Sequence, residues 1–263
     1  MPSWKLSASN IGWTKEEDEQ VWQLMKDLGY PGLEIAPTRV FPQEPYAQLS
    51  GITLFAAVMN QKYGFVIPSM QSIWFGKSAS IFDEEGAKEL ADYTVEAFEF
   101  ARACRCPSLV FGCPRQRNIP QGHTAGEADG FFARMAYEAA SRGVRLAIEA
   151  NPTLYGTNFL NTTADAAALV KRLASPGLSL NLDVGTLLAN GERVRDLTGV
   201  MGLVSHVHIS RPGMVPVEPD PIDREMALLL GAVGYKGFVS LEMKAAEPQV
   251  LRRSLEYVAE VFG

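Results

Sequence analysis

The run LSLNLDVGT at residues 178–186 decides the fold, together with three runs of the same kind: RLAIEANP at 145–152, VSHVHIS at 204–210 and GFVSLEMK at 237–244. Each run is a short apolar segment that reaches an ionisable residue near its end. Amphipathic segments of helical period separate these runs, such as AALVKRLASPG at 167–177. This alternation predicts strands that are joined by helices and buried on both faces.

The same alternation extends over the rest of the chain and gives eight units of strand and helix. Eight units in 263 residues favour a closed α/β fold, the (β/α)₈ TIM barrel, over an open doubly wound sheet. No Ser/Gly-rich run and no block of like charge interrupts the sequence, so we expect a single TIM-barrel domain over residues 1–263. The predicted strands lie at residues 5–8, 32–36, 65–71, 108–111, 145–150, 178–183, 204–208 and 237–242.

Composition and charge argue against several classes of function. Of the residues, 47% are hydrophobic and 21% are charged, as in a globular protein, and the net charge of −6 disfavours a surface for nucleic acid. No stretch reaches the roughly 18 apolar residues that would span a bilayer, and the first residues contain no apolar signal segment. We therefore expect a cytoplasmic protein that binds neither membranes nor nucleic acid. The three cysteines, Cys104, Cys106 and Cys113, are expected to be reduced thiols.

The predicted strand ends carry the candidate active site, since barrel active sites lie at the carboxyl ends of the strands. The fifth to eighth predicted strands place Glu149, Asp183, His208 and Glu242 there. Neighbouring strands lie about 5 Å apart, so these side chains would project toward one centre. Three carboxylates in such a pocket would repel one another unless a cation neutralised them. The sequence therefore predicts a divalent metal site.

Each of these residues has another interpretation when it is considered alone. A single Asp or Glu at a strand end is more often a helix cap or a surface group, but four ionisable residues on consecutive strands favour a metal site. Oxygen ligands with one imidazole suit Mn²⁺, Mg²⁺ or Co²⁺, and suit Zn²⁺ less well. His206 shares the strand face of His208, either as a partner of the metal ligands or as part of the core. His123 lies in a polar loop and is expected to be exposed.

In these motifs the chain resembles the xylose-isomerase-like TIM-barrel superfamily, particularly its sugar phosphate isomerase/epimerase branch. The resemblance spans nearly the whole chain. It implies that Glu149, Asp183, His208 and Glu242 bind a divalent metal ion, and that Glu149 and Glu242 also act as acid and base through a cis-enediolate. The motifs that carry it, in order along the predicted strands, are GLEIAPTRVFP, LAIEANP, LNLDVGT, HVHIS and VSLEMK.

Two positions depart from the epimerase pattern. A His that helps to hold substrate in the epimerases is Thr186 here, and a further Glu is Tyr155. Both departures affect substrate contacts rather than metal ligands. The superfamily also contains zinc-dependent endonucleases that act at abasic DNA sites and use several histidines in a trinuclear centre. With three histidines and an acidic composition, this chain is not expected to belong to that branch.

The loops after the predicted strands contain an excess of cations. Arginine binds phosphate or carboxylate through a planar fork of donors, so these cations predict an anionic carbohydrate substrate, although each could be a solvated charge or the partner of a carboxylate. Arg211 is the strongest candidate, because the turn at 212–213 could direct it over the pocket. Trp13 and Trp74 would form an apolar wall or cover the core, and Glu34 would bond substrate or a rim arginine. The cations are Arg39, Lys77, Arg115, Arg117, Arg211 and Lys244.

These observations favour one function and leave two alternatives. The first is a metal-dependent isomerase or epimerase of a small sugar, sugar phosphate or sugar acid, working by Glu-mediated proton transfer. The second is an inosose-type dehydratase that uses the same metal site to remove water. The third is a non-catalytic sugar-binding barrel, which the departures at Thr186 and Tyr155 suggest. Association into a homodimer is also expected, as in many barrels of this kind.

Overall fold

The computed structural model describes residues 2–263 and is built around one sheet of parallel strands. The order across the sheet is β2-β1-β7-β6-β5-β4-β3, so the strands from β3 to β7 lie side by side in chain order. The strands are β1 (Lys5–Ser9), β2 (Gly32–Glu34), β3 (Ser108–Phe111), β4 (Arg145–Glu149), β5 (Leu178–Asp183), β6 (Val204–Ile209) and β7 (Phe238–Leu241).

The third predicted strand, at 65–71, closes the sheet between β2 and β3 without forming a regular strand. Single parallel bridges join Val66 to Gly32 of β2 and Met70 to Ile35 just after β2 on one side, and Met70 to Leu109 of β3 on the other. Pro68 lies in the middle of this segment and has no N–H to donate to a ladder. The ring of eight positions confirms the (β/α)₈ TIM barrel, while the expectation of a regular strand at 65–71 is wrong.

Helices form the outer layer of the barrel, and within residues 2–263 none of them is long and apolar enough to cross a membrane. The α-helices are α1 (Asp18–Asp27), α2 (Pro37–Val40), α3 (Leu49–Tyr63), α4 (Glu84–Ala103), α5 (Asp129–Ser141), α6 (Thr163–Leu173), α7 (Val184–Asn190), α8 (Pro221–Ala232) and α9 (Pro248–Phe262). Short 3₁₀ helices lie at Lys15–Glu17, Pro45–Ala47, Pro114–Arg117, Ala125–Ala128, Thr153–Tyr155, Val194–Leu203 and Pro212–Met214.

Short polar residues begin several of these helices. The side chain of Asp83 accepts a hydrogen bond from the first turn of α4, and Thr162 and Asp220 do the same for α6 and α8. Such caps satisfy backbone N–H groups that have no partner within the helix. Asp183 plays the same part for α7, although it is also the last residue of β5. A predicted site residue therefore lies directly between a strand and a helix.

The hydrophobic core surrounds the barrel on both faces of the sheet. All four residues of β3 and all six of β5 are buried, as expected for parallel strands that helices cover. Aromatic side chains fill the layer outside β3, where Phe111 packs edge-on against Phe132 with ring centroids 5.2 Å apart. Buried ionisable residues lie at or directly after the carboxyl ends of β4 to β7, namely Glu149, Asp183, His208 and Glu242.

Candidate metal centre

The strand register brings the four predicted ligands to one end of the barrel. Glu149 is the last residue of β4, and Asp183 ends β5, where it lies opposite His208 of β6. Glu242 directly follows β7, and its backbone N–H donates to the Ile209 carbonyl at 3.0 Å. All four side chains are buried. They occupy the position where barrel enzymes carry their active sites.

The His208 ring lies at the centre of this group. Its Nδ1 is 3.0 Å from Glu149 Oε2 and 3.2 Å from Glu242 Oε2. One nitrogen and two carboxylate oxygens therefore lie close enough together to bind one ion. On the other side of the ring, Nε2 is 3.0 Å from Glu34 Oε2. A carboxylate behind a ligating imidazole fixes the orientation and the tautomer of the ring.

Asp183 is held beside this group by the first turn of α7. Its Oδ2 accepts hydrogen bonds from the Thr186 backbone N–H at 2.8 Å and from the Thr186 hydroxyl at 2.9 Å. Its Oδ1 accepts one from the Ser210 hydroxyl. Asp183 lines the same cavity as Glu149 and Glu242, although it is not among the donor atoms that all lie within 4.8 Å of one another. Asp183 thus caps α7 and also contributes a carboxylate to the lining of the cavity.

Burial and mutual repulsion shift the titration of these groups. Burial raises the pKa of Glu242 to about 7, and the nearby Glu149 and Asp183 carboxylates also act to raise it. Burial, followed by the Glu149 charge, raises the pKa of Asp183. Burial opposes protonation of His208, but Glu242 and Glu34 raise the pKa of His208 well above its usual value. A divalent cation would relieve this repulsion, and hard oxygen donors with one imidazole fit such an ion.

Behind the cavity, Glu34 joins the two histidines of β6. Its Oε2 is 2.9 Å from His206 Nε2 and 3.0 Å from His208 Nε2, and the Ser69 hydroxyl donates to the same oxygen. Burial acts against ionisation, but the two histidines hold the pKa of Glu34 well below its usual range. Glu34 is fully buried and does not line the cavity, in contrast to the expectation that it bonds substrate or a rim arginine. His206 therefore partners the site through Glu34.

The carboxylates of Glu149, Asp183 and Glu242 face a cavity of about 150 Å³ at the strand ends. Its walls combine these charges with neutral polar groups and with apolar side chains such as Met214. Gly112 lies so close that a Cβ atom there would meet Glu149 Oε1 at 3.0 Å. The lining residues are Gln71, Ser72, Val110, Gly112, Cys113, Pro114, Glu149, Asn151, Tyr155, Asp183, Ser210, Met214 and Glu242.

Two asparagines that were not predicted from the sequence hold Glu149. Asn181 Nδ2 donates to Glu149 Oε2 at 2.5 Å, and Asn151 Nδ2 donates to Glu149 Oε1 at 3.1 Å. The amide oxygens of both asparagines are buried without a hydrogen-bond partner within the described part of the chain. Strand alternation carried the signal for Asn181, because it precedes Asp183 by two residues and shares its face. No such signal marks Asn151, which lies beyond the end of β4.

The two predicted aromatic residues lie in the core and not at the cavity. Trp13 and Trp74 are each 2% exposed. Trp13 Nε1 donates to Asp18 Oδ1 at 2.8 Å, and Trp74 Nε1 donates to Thr94 Oγ1 at 2.8 Å. Trp74 also packs edge-on against Phe111, with centroids 4.9 Å apart. The structure therefore supports the interpretation in which the two tryptophans cover the hydrophobic core, and not the one in which they form a wall of the substrate pocket.

Arg211 does not project over the cavity either. Its guanidinium forms a buried ion pair with Asp223 of α8, with Nη2 and Oδ2 2.5 Å apart. The side chain therefore ties the loop after β6 to a helix of the outer layer. Arg115 and Lys244, the other two cations proposed for substrate binding, are exposed and lie outside the cavity lining.

Arg117 is the predicted cation that bonds directly to the backbone of a candidate ligand, Glu149. It is 0% exposed, and its guanidinium donates to the backbone carbonyls of Glu149 at 2.9 Å and Leu160 at 3.3 Å. Burial lowers the pKa of Arg117 to about 10. Arg117 thus fastens the loop after β3 to the end of β4. The remaining cations form ion pairs at the barrel periphery, Arg39 with Asp18 and Lys77 with Glu89.

The sequence matches one protein-family model over most of its length. The model is described as xylose isomerase-like TIM barrel, and it matches residues 22–261, which include all four predicted ligands. No curated protein matches the sequence.

Several solved structures share the fold over nearly their whole length. A 3-keto-D-glucoside 4-epimerase from E. coli superimposes with a TM-score of 0.77 at 17% identity, covering 98% of this chain and 99% of its own. D-psicose 3-epimerase from Clostridium cellulolyticum H10, solved with D-tagatose, gives 0.78 at 14% identity, covering 98% of each chain. An AP endonuclease of family 2 from Brucella melitensis gives 0.74 at 20% identity, covering 99% of each. At these identities the similarity establishes the fold, and arguments on function depend on the site itself.

Proposed function

The chain belongs to the xylose isomerase-like TIM-barrel family, and we propose that it is a divalent-metal-dependent isomerase or epimerase of a small sugar. The observation that carries this proposal is the approach of Glu149 and Glu242 to within 3.0 and 3.2 Å of one imidazole nitrogen of His208, at a cavity on the strand ends. Sugar epimerases among the structures of similar fold, one of them solved with D-tagatose, support a carbohydrate substrate.

Glu149, Asp183, His208 and Glu242 would hold the metal ion. When bound, Mn²⁺, Mg²⁺ or Co²⁺ would supply positive charge that stabilises a carbonyl oxygen of the substrate as it becomes negative. Zn²⁺ suits this donor set less well. The chain fixes the donors through their own partners: Glu34 behind the His208 ring, and the cap of α7 around Asp183.

Glu149 and Glu242 are the proposed acid–base pair. Glu149 ends β4 and Glu242 directly follows β7, and these strands lie on either side of β5 and β6 in the sheet, so the two carboxylates enter the cavity from different sides. One carboxylate takes the proton from the carbon next to the substrate carbonyl, and the other gives a proton back. Return to the same carbon on its other face is epimerisation, and return to the neighbouring carbon is isomerisation.

A combined metal and isotope experiment tests this proposal. Purified protein is loaded with Mn²⁺ and incubated with a panel of ketoses in deuterated water, and label incorporation is followed by mass spectrometry and NMR. We expect label to enter a ketose only when metal is present. Glu242→Gln should reduce the incorporation rate by at least about a hundredfold, because general acid–base groups contribute about that much.

Glu225→Gln is the matched control, because Glu225 is exposed on α8 and away from the cavity. This variant should retain the wild-type rate. Wild-type incorporation by Glu242→Gln would contradict the assignment of the acid–base pair. Loss of water from the substrate would instead indicate the dehydratase, and tight sugar binding without any label would indicate a binding protein.

A further inference from the structure

Building on the proposed function, we infer that the substrate is an uncharged sugar, and that Asn151 and Tyr155 bind its hydroxyl groups. This revises the expectation of an anionic substrate, which rested on cations near the strand ends. It follows from the charges that face the cavity and from the hydrogen-bonding groups that remain free there.

The charge in the cavity is negative. Glu149, Asp183 and Glu242 contribute three carboxylates to its wall, whereas none of the described residues that line it is Lys or Arg. With these three carboxylates ionised, one divalent ion would leave a net charge of about −1 at the site. A phosphate or carboxylate on the substrate would meet this charge at short range, in a buried site where screening by water is weak.

Arg117 and Arg211, the two buried arginines close to the site, already bind other groups of the protein. Arg117 is fully buried and donates to two backbone carbonyls, and Arg211 is paired with Asp223 at 2.5 Å. To bind a substrate anion, either guanidinium would have to give up these buried bonds, which would leave carbonyl oxygens or a carboxylate without partners. Arg117 and Arg211, two of the cations that predicted an anionic substrate, therefore hold the barrel loops together.

Neutral polar groups remain free to bind a sugar. Asn151 lines the cavity, and its Oδ1 is buried without a partner among residues 2–263, so it can accept a bond from a sugar hydroxyl. The Tyr155 hydroxyl accepts a bond from the Gly213 N–H at 3.0 Å, and its own proton has no acceptor within the described chain. That proton is available to a sugar oxygen. Met214 and Val110 supply apolar surface for the C–H groups of the sugar.

Pairs of substrates that differ only in charge provide the test. The Mn²⁺ protein is given ketopentoses and ketohexoses and, in parallel, the same sugars phosphorylated at the terminal carbon, and kcat/KM for deuterium incorporation is measured. We expect the best uncharged sugar to exceed its phosphate by at least about tenfold. Faster labelling of a sugar phosphate than of the matching uncharged sugar would overturn this inference while supporting the proposed function. Label in no member of either series would contradict the proposed function, and the inference with it.

Tyr155→Phe tests the hydroxyl contact. Loss of one neutral hydrogen bond should raise KM for the uncharged sugar about threefold to tenfold with a smaller change in kcat. The control is Tyr137→Phe, which removes the same hydroxyl from a side chain that is 72% exposed on α5. Melting temperature and Mn²⁺ affinity, measured alongside, separate a lost substrate contact from damage to the Gly213 loop. An unchanged KM in Tyr155→Phe would overturn the assignment of this residue.

Discussion

The two ring nitrogens of His208 face different partners, and this determines what the ring can do. Nδ1 faces Glu149 and Glu242, whereas Nε2 lies 3.0 Å from the buried Glu34 carboxylate. An ionised Glu34 is an acceptor only, so it favours a proton on Nε2 and leaves the Nδ1 lone pair for a metal. Glu34 is therefore a positioning residue for the proposed ligand.

Glu34→Gln should weaken Mn²⁺ binding. The amide is nearly the same size but carries no charge, so the Nε2 proton loses its strong acceptor. We expect the dissociation constant for Mn²⁺, measured by calorimetry, to rise about 10- to 100-fold, the usual effect of removing such a partner. Glu225→Gln should bind Mn²⁺ as the wild type does. An unchanged affinity in Glu34→Gln would show that the ring is fixed by other contacts.

Some site residues could be predicted from the sequence because their position alone brings them together. Glu149 and Asp183 end neighbouring parallel strands, and the barrel geometry then places both at one centre. The direction of a loop side chain depends on partners far along the chain, which no local pattern reveals. Arg211 turns to Asp223 on α8, and Trp74 turns to Thr94 on α4.

At the scale of elements, the junction of β5 and α7 is built without a loop. Asp183 ends the strand, and α7 starts at Val184. Gly185, in the first turn, lies against the next strand end: a Cβ atom there would collide with the Ser210 hydroxyl oxygen. Ser210 in turn donates to Asp183 Oδ1. The glycine thus permits the close packing that fixes the Asp183 carboxylate.

Gly185→Ala should therefore disturb the metal centre, whereas Gly130→Ala should not. The first substitution displaces Ser210, and we expect weaker Mn²⁺ binding and a melting temperature several degrees lower, since overpacking costs about 1–3 kcal/mol. Gly130 lies in α5 with nothing within 4 Å of an added Cβ, so alanine there should stabilise the fold by about 0.5–1 kcal/mol. Calorimetric melts with and without Mn²⁺ measure both effects. Equal behaviour of the two variants would contradict this account.

The sequence predicted the order of the strands and helices, but it did not predict which segments form regular hydrogen-bonded strands. Hydrophobic runs located all eight barrel positions because a buried parallel strand needs a continuous apolar segment. The segment at 65–71 has such a run, yet Pro68 prevents a full ladder, and the chain is held by single bridges. Hydrophobicity thus reports which layer a segment occupies, while backbone hydrogen bonding decides whether it becomes a strand.

At the scale of the whole molecule, the cluster of buried acids links stability to pH. The pKa of Glu242 rises from 4.5 to about 7, so its contribution to stability is complete below pH 4.5 and is lost by pH 7. At about 1.4 kcal/mol per pH unit this loss is about 3–4 kcal/mol at most. The raised pKa of His208 acts in the same direction above pH 6.5. The lowered pKa of Glu34 matters only as the pH falls below 4.5.

The metal-free protein should consequently become less stable as the pH rises from 5 to 8, and Mn²⁺ should reverse this trend. The ion competes with the protons on Glu242 and His208, so its affinity and its stabilising effect increase as they dissociate. We expect the difference in melting temperature with and without Mn²⁺ to grow steadily from pH 5.5 to pH 8. In Glu242→Gln, the metal-free protein should lose most of its pH dependence between 5 and 7, because the amide does not titrate. If the effect of Mn²⁺ on melting were the same at every pH, the charged cluster would not be the place where the ion binds.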